Sequence, residues 1–425
     1  MKKFSFFAAA LAALTFSACS SDSENENQVV IDPVTPVSYE ATSAVAYVAP
    51  EAGRILATRG DTKADKVALD FALVSPSAAT DAQLSATAIQ IVGTKAYITW
   101  HSNLAAGATQ WGGLIDVVDL STNELLGSIS SAELKFNNIL VSGAQVFGAA
   151  TSNKIGGAVA RFALEDGKIP AGITEVDRIG FPGGSVNALA EYADGTLIGI
   201  SGHDLGTYAT FAKTVAARPY IYLDQYTTDS YENEVCAPEW LSYGVNNNFG
   251  GKYVALDESG DAYILYNTAA AKIAKVNKAD LSKTDVVSTD VQLKADNAAF
   301  GKHVLAVKGG KAYFAAGQNG LQVYDLATGE KVAERNINVA GVCVSGDKVY
   351  AAASNGLWVL NDDAELSTYA FEGVYDADGN ATKTGIAEDA ELNRPEYNSV
   401  NFVTVADGKI YVAYGQAGVK VWTLK

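Results

Sequence analysis

Apolar and polar residues alternate in short runs throughout this chain, and Gly-containing turns divide the runs into groups of four that recur at intervals near 50 residues. A four-strand unit of that length cannot bury both of its own faces, so neighbouring copies must cover them. The sequence therefore predicts an all-β fold, a seven-bladed β-propeller of four-stranded antiparallel blades.

The clearest copy runs from Lys302 to Gly329 and continues weakly to Asn336. His303–Lys308 alternates, Gly309-Gly310 turns the chain, Ala312–Ala316 alternates again, and Gly317–Gly320 turns it back, which is the pattern of a hairpin. Leu321–Leu326 supplies a third strand and Ala327-Thr328-Gly329 a polar turn before the fourth. One residue of the second strand acts as a ruler for the repeat: Tyr97, Phe147, Leu197, Tyr263, Tyr313, Tyr350 and Tyr411, spaced by 50, 50, 66, 50, 37 and 61 residues. A third strand of the form GLxVxDL returns at Gly113–Leu120, Gly320–Leu326, Gly356–Leu360 and Gly418–Leu424, which a β-sandwich with chance spacing would not produce.

The chain opens with a basic Met1-Lys2-Lys3, a short apolar run Phe4–Phe16 and the small residues Ser17-Ala18 before Cys19, the layout of a secretory signal. That run is too short to span a bilayer. Residues 1–18 are read as a signal peptide, 19–40 as a cysteine followed by an acidic, disordered tether, and 41–425 as the propeller. The junction from Phe16 to Cys19 resembles a bacterial lipobox, which implies an acylated Cys19; its acyl chains would hold the domain at a membrane by lipid anchor only, at about 0.8 kcal/mol per buried methylene. The alternative is an ordinary cleaved signal with a chance cysteine.

Three candidate strands, Ala44–Val48, Arg54–Thr58 and Val67–Val74, precede the first clear unit, and the last unit stops after its third strand. A ring left open exposes strand edges, so an N-terminal strand, either Val67–Val74 or Ala44–Val48, is expected to complete the final blade. Removing the signal peptide takes two lysines and moves the formal charge from −17 to −19, which argues against nucleic acid or anionic lipid as partners. Besides Cys19 only Cys236 and Cys343 are present, and Cys343 falls in an inner strand as a buried free thiol.

Counting ten residues back from each ruler residue gives Thr87, Asn137, Asn187, Tyr253, His303, Ala340 and Asn401, the expected starts of the inner strands around one mouth of the central channel. Asn is depleted in strands, so its recurrence here marks either a backbone cap or a ligand contact. The same face receives the insertions Ser102–Trp111, Ser201–Arg218, Trp240–Phe249 and Glu372–Ser399. They bring Trp111, His203, Tyr208, Trp240 and Tyr243 toward the ring, and long loops of this kind are often functional. Polar groups with aromatic walls suit a nutrient ligand such as a glycan; packing of the aromatics onto the disc is the plainer alternative.

Signatures of catalysis are thin. Asp376–Asn380 alternates oxygen ligands but lacks the Gly and Glu of a calcium loop, and reads as an acidic turn. No cofactor is expected. The three histidines, His101, His203 and His303, all fall on the mouth face, so a metal-dependent lyase or hydrolase there is the enzymatic alternative to a binding protein, and an interaction scaffold is a third.

The stretches GKAYFAAGQNGLQVYDLATG, DKVYAAASNGLWVLN and GKIYVAYGQAGVKVWTL resemble the LVIVD and YVTN-like repeats of bacterial surface β-propellers, from about Ala86 onward. Behind the lipobox-like junction, Ser20–Asn27 resembles the signal with which Bacteroidetes send lipoproteins to the cell surface. The three histidines, with Gln318 and Gln416 near them, resemble the metal set of some propeller lyases. These likenesses imply an outer-membrane lipoprotein, facing the cell surface or alternatively the periplasm, that serves as accessory to an outer-membrane transporter. They carry over no catalytic residue.

Overall fold

A computed structural model describes residues 45–50, 54–57, 67–73, 84–102, 112–152, 156–182, 185–201, 205–208, 221–222, 226–229, 233–236, 250–267, 271–278, 285–291, 303–353, 356–371, 373–375, 381–384 and 400–424. The signal peptide, Cys19 and the tether lie outside them, as do Trp111, His203, Trp240, Tyr243 and Asp376–Asn380.

Three N-terminal strands come first, β1 (Val45–Val48), β2 (Ile55–Ala57) and β3 (Val67–Leu73). The first sheet holds β4 (Leu84–Val92), β5 (Lys95–Ser102), β6 (Gly113–Asp119) and β7 (Glu124–Ser131). The second holds β8 (Leu134–Ser142), β9 (Gln145–Ser152), β10 (Gly156–Ala163) and β11 (Glu175–Pro182), and the third β12 (Val186–Glu191), β13 (Leu197–Ser201), β14 (Leu205–Tyr208) and β15 (Ile221–Tyr222). A separate hairpin, β16 (Tyr226–Asp229) with β17 (Asn233–Cys236), precedes the sheet of β18 (Gly250–Leu256), β19 (Ala262–Asn267), β20 (Ala271–Lys275) and β21 (Asp285–Val291). Next come β22 (Leu305–Lys308), β23 (Lys311–Ala315), β24 (Leu321–Asp325) and β25 (Lys331–Arg335), then β26 (Val339–Ser345), β27 (Lys348–Ala353), β28 (Gly356–Asn361) and β29 (Thr368–Phe371). A second hairpin, β30 (Gly373–Tyr375) with β31 (Ala381–Thr384), leads to β32 (Phe402–Ala406), β33 (Lys409–Ala413) and β34 (Val419–Leu424).

The molecule is a β-propeller. Inner strands touch in the order β4, β8, β12, β18, β22, β26 and β32, and β32 returns to β4. The expectation of a seven-bladed propeller of four-stranded blades is corrected by the strand order: among the described residues five sheets have four strands, two have five, and two are two-stranded hairpins. Both five-stranded sheets flank the seam where the chain's ends meet. There β3 pairs antiparallel with β34 and β2 adds outside it, while β1 pairs with β7 on the far side. Free edge groups recruit these strands, since an unpaired sheet edge presents a row of open donors and acceptors. Of the two candidates to complete the last sheet, Val67–Leu73 is the one that does so.

The core lies between the sheets. All the ruler residues sit on second strands and are buried, as the alternation requires. Burying a side chain of this size contributes about 1.5–3 kcal/mol each. Two ruler tyrosines also tie their sheet to the next one: Tyr97 Oη donates to the Gly167 carbonyl at 2.7 Å and Tyr313 Oη to Asp362 Oδ2 at 2.7 Å. In both cases the acceptor is in the turn joining the third and fourth strands of the neighbouring sheet.

The seam is locked by a buried ion pair. Arg54, just before β2, donates from both terminal nitrogens to Asp116 on β6, at 3.1 and 2.5 Å, and lies over the Trp100 ring at 5.6 Å. Ser128 Oγ donates to the same carboxylate. Asp116 is fully buried and Arg54 nearly so, and the bidentate fork with a third donor is the geometry that makes such burial tolerable.

Candidate functional site at the channel mouth

Inner strands start on one face of the disc and end on the other. On the starting face the strands share a local irregularity: a β-bulge at Thr87 in β4, Asn137 in β8, Asn187 in β12, Lys252 in β18 and Ala340 in β26. The expected position Tyr253 is thereby corrected to Lys252, because Tyr263 follows its bulged residue by 11 residues where Tyr97, Phe147 and Leu197 follow theirs by 10. A bulge leaves one residue without a partner in its own sheet.

The unpaired residue reaches sideways. Thr87 Oγ1 donates to the Phe136 carbonyl at 2.8 Å, Asn137 Nδ2 to Val186 at 3.0 Å, and Asn187 Nδ2 to Gly251 at 2.7 Å. At the seam Asn401 Nδ2 donates to the Ala86 carbonyl at 2.7 Å. Each acceptor immediately precedes the bulged residue of the next sheet, so one sheet's bulge exposes the carbonyl that the previous sheet's side chain fills. Where the position is Ala340 no side-chain donor exists, and the contact toward it is made by the backbone, Val304 N–H to the Ala340 carbonyl at 3.2 Å. The recurring amides thus form a girdle of inter-sheet clips, a third use beside the local cap and the ligand contact. Asn is suited to it because its short amide supplies donors without needing a strand-like environment.

The residue after each bulge builds the next layer down. Ala88, Asn138, Ala188, Tyr253 and Gly341 follow the five bulges, Val304 and Phe402 take the equivalent places in the two sheets without one, and small and large side chains mix around the axis. Gly341 is required there, since a Cβ would come 2.8 Å from Phe402 Cα. Asn138 Nδ2 makes a long bond of 3.5 Å to Tyr253 Oη between strands two sheets apart.

His303 is buried with Nδ1 3.0 Å from the Ala315 carbonyl, which accepts only, so that nitrogen carries the proton. His101 is the penultimate residue of β5, its Nδ1 3.3 Å from Asn137 Oδ1. The two belong to sheets that are not neighbours, and no cluster of metal-ligating side chains occurs among the described residues. Tyr208 is corrected from loop to strand: it ends β14, paired with Leu197, at the end of the sheet remote from Asn187.

What distinguishes this face is its connections. The two extra hairpins, β16–β17 and β30–β31, both interrupt links from a fourth strand to the next inner strand, and these links, residues 223–249 and 372–401, are the longest between the sheets. The opposite face has turns as short as Gly309-Gly310 and Gly346-Asp347.

Sequence reasoning missed two contacts that only the closed ring brings together. Gln90 uses both ends of its amide on the free edge of β8, accepting from Val141 N–H at 2.6 Å and donating to its carbonyl at 3.3 Å. The Arg54–Asp116 pair spans 62 residues of sequence. A polar residue predicted on an inner or third strand was the available signal in both cases.

No family model matches the sequence, and no curated protein matches it. Among solved structures, the chain is similar to a Bacteroides uniformis protein provisionally assigned as a 6-phosphogluconolactonase, at 15% identity over 77% of this chain and 94% of that one with a TM-score of 0.48. It is also similar to a protein of unknown function from Bacteroides thetaiotaomicron, at 12% identity over 83% and 72% with a TM-score of 0.43. A third is the computationally designed Ika8, at 12% identity over 83% and 99% with a TM-score of 0.45. At these identities the likeness concerns the fold alone.

Proposed function

We propose that this protein is a binding module, held at the outer membrane by a lipid on Cys19, that takes up a soluble nutrient such as a glycan at the elaborated face of its propeller and serves an outer-membrane transporter. The observation that carries this reading is the concentration of the longest insertions and both extra hairpins on one face, rooted in a girdle whose amides are already engaged. A rigid ring that carries variable loops is a common way to position recognition groups. Ligand contacts then fall to the insertions, with Trp111, Trp240 and Tyr243 as the aromatic walls. The acidic charge favours a neutral or cationic ligand.

The reading is tested on a glycan array followed by calorimetry. A saturable hit that Trp240→Ala weakens by about 1–3 kcal/mol, with unchanged thermal unfolding, supports it. Retention of full affinity in the Trp111→Ala, Trp240→Ala double variant moves the site off this face. Incorporation of radiolabelled palmitate, lost in Cys19→Ser, tests the anchor separately.

A further inference from the structure

Where the inner strands end, the channel is open. A cavity of about 460 Å³ lies against β12, β18, β22, β26 and β32 and reaches the face of short turns. Tyr253 and Phe402 form its inner end, and Leu189, Val254, Val342 and Val403 are among its walls. Its volume falls within the roughly 300–1,000 Å³ of small-molecule sites.

Below its rim the lining is uncharged. Burial pushes the Tyr253 phenol up to about 12 and pushes the Cys343 thiol up as well, so both are neutral at pH 7. Thr404 adds a hydroxyl. Charged groups appear only at the rim, and they are engaged there: Glu258 Oε1 accepts from Gly309 N–H at 2.9 Å, Lys308 Nζ donates to the Gly346 carbonyl at 3.1 Å, and Asp257 accepts from Ser259 N–H at 2.9 Å. A charged ligand would lose its hydration inside without gaining a partner, while a flat apolar one would cover aliphatic wall and the Phe402 ring. One or two polar atoms on it would find the hydroxyls of Tyr253 and Thr404 or the open edges of the inner strands.

We infer that this end of the channel is a second binding site, distinct from the elaborated face, for an uncharged aromatic small molecule with one or two hydrogen-bonding groups.

The probe is N-phenyl-1-naphthylamine, which has that chemistry, titrated into the full chain with Cys19 and Cys236 replaced by Ser. Expected are saturable fluorescence enhancement at one site and at least a fivefold slowing of Cys343 modification by methyl methanethiosulfonate when the probe is bound. Ala306→Trp, which fills the cavity, should reduce probe affinity at least tenfold, and Trp240→Ala on the other face should leave it unchanged. No saturable binding, or binding that leaves the Cys343 rate as it was, overturns the inference whether or not Ala306→Trp folds. Sensitivity to Trp240→Ala instead would place the probe at the elaborated face.

Discussion

The two faces of this propeller are made by the same strands yet satisfy their backbone groups in different ways. On the plain face four of the turns bond chiefly within themselves: Asp119 accepts from Ser121 N–H, Asp194 from Thr196, Asp257 from Ser259, and Asp325 from Ala327 and Thr328, all within three residues, and side chains such as Tyr97, Tyr313 and Glu258 add bonds from the neighbouring sheet. On the elaborated face the carbonyls opened by bulges are satisfied from the neighbouring sheet, 49 to 64 residues away or, at the seam, 315. Local closure makes a face of compact turns. Non-local closure makes the ring itself, and Ala86 at the seam shows how far this goes: its carbonyl accepts from Asn401 and its N–H donates to the Gly415 carbonyl at 2.8 Å, so both groups are held by the last sheet.

The strongest way to break the contrast is to open the ring. Deleting Val67–Leu73 removes the partner of β34 and the fully buried Val67 and Leu73, and bares the inter-sheet core on that side. The deleted chain should show no cooperative unfolding transition by circular dichroism, whereas deleting Ser20–Asn27 should leave the midpoint where it was. A folded, cooperative deletion protein would mean that ring closure is not what holds the sheets.

Below that comes the seam lock. Asp116→Ala takes the bidentate carboxylate away from buried Arg54 and should cost about 3–5 kcal/mol in urea unfolding. Replacing both, as Arg54→Met with Asp116→Leu, should recover much of the loss, because the penalty lies in the buried charge and not in the missing attraction. If the double variant is as unstable as the single one, the pair acts through packing against Trp100 instead.

These effects also mark what the sequence can and cannot convey. Strand order, turn positions and the buried ruler residues were legible because their causes are local: alternation, Gly at turns, and an aromatic two residues into a strand. The inner-strand starts were found by counting, and Thr87, Asn137, Asn187 and Asn401 do converge there. Their role was not legible, because it depends on a bulge in a different sheet. Tyr208 was misplaced for the related reason that a third strand of four residues, Leu205–Tyr208, has too few positions to declare an alternation. The uneven number of strands per sheet was not legible because β1 joins the outer edge of β7, far off in sequence, and β2 is too short to declare an alternation.

The girdle gives a smaller and more discriminating test. Asn401→Ala removes the donor to the Ala86 carbonyl inside a buried seam and should cost about 1–3 kcal/mol, the penalty of an unsatisfied buried acceptor. Asn187→Ala should cost less, since Asn187 is only half-buried and water can replace its amide. Equal losses at the two sites, or none at Asn401, would show that the clips do not carry the inter-sheet stability assigned to them.

The smallest effect belongs to the plain face and appears only in acid. The Lys278 ammonium and the Thr196 N–H hold the Asp194 carboxyl down at about 2, below its ordinary value near 3.8. Asp119, Asp257, Asp325, Asp347 and Asp363 are lowered in the same direction by hydrogen bonds in or beside their own turns. A carboxyl whose folded value is depressed stabilises the fold above its unfolded value and loses that contribution as the pH falls through the folded one. For Asp194 the window is therefore from about 4 down to about 2. Because the group is fully exposed, the effect of any one such turn is screened and small. Asp194→Asn should leave the urea midpoint at pH 7 slightly lowered and should flatten its decline between pH 4 and pH 2 relative to the parent protein. Asn401→Ala should shift the whole curve without changing that slope, since it removes no titrating group. A parallel acid profile for Asp194→Asn and the parent would mean that the acid sensitivity of this propeller does not come from its plain-face turns.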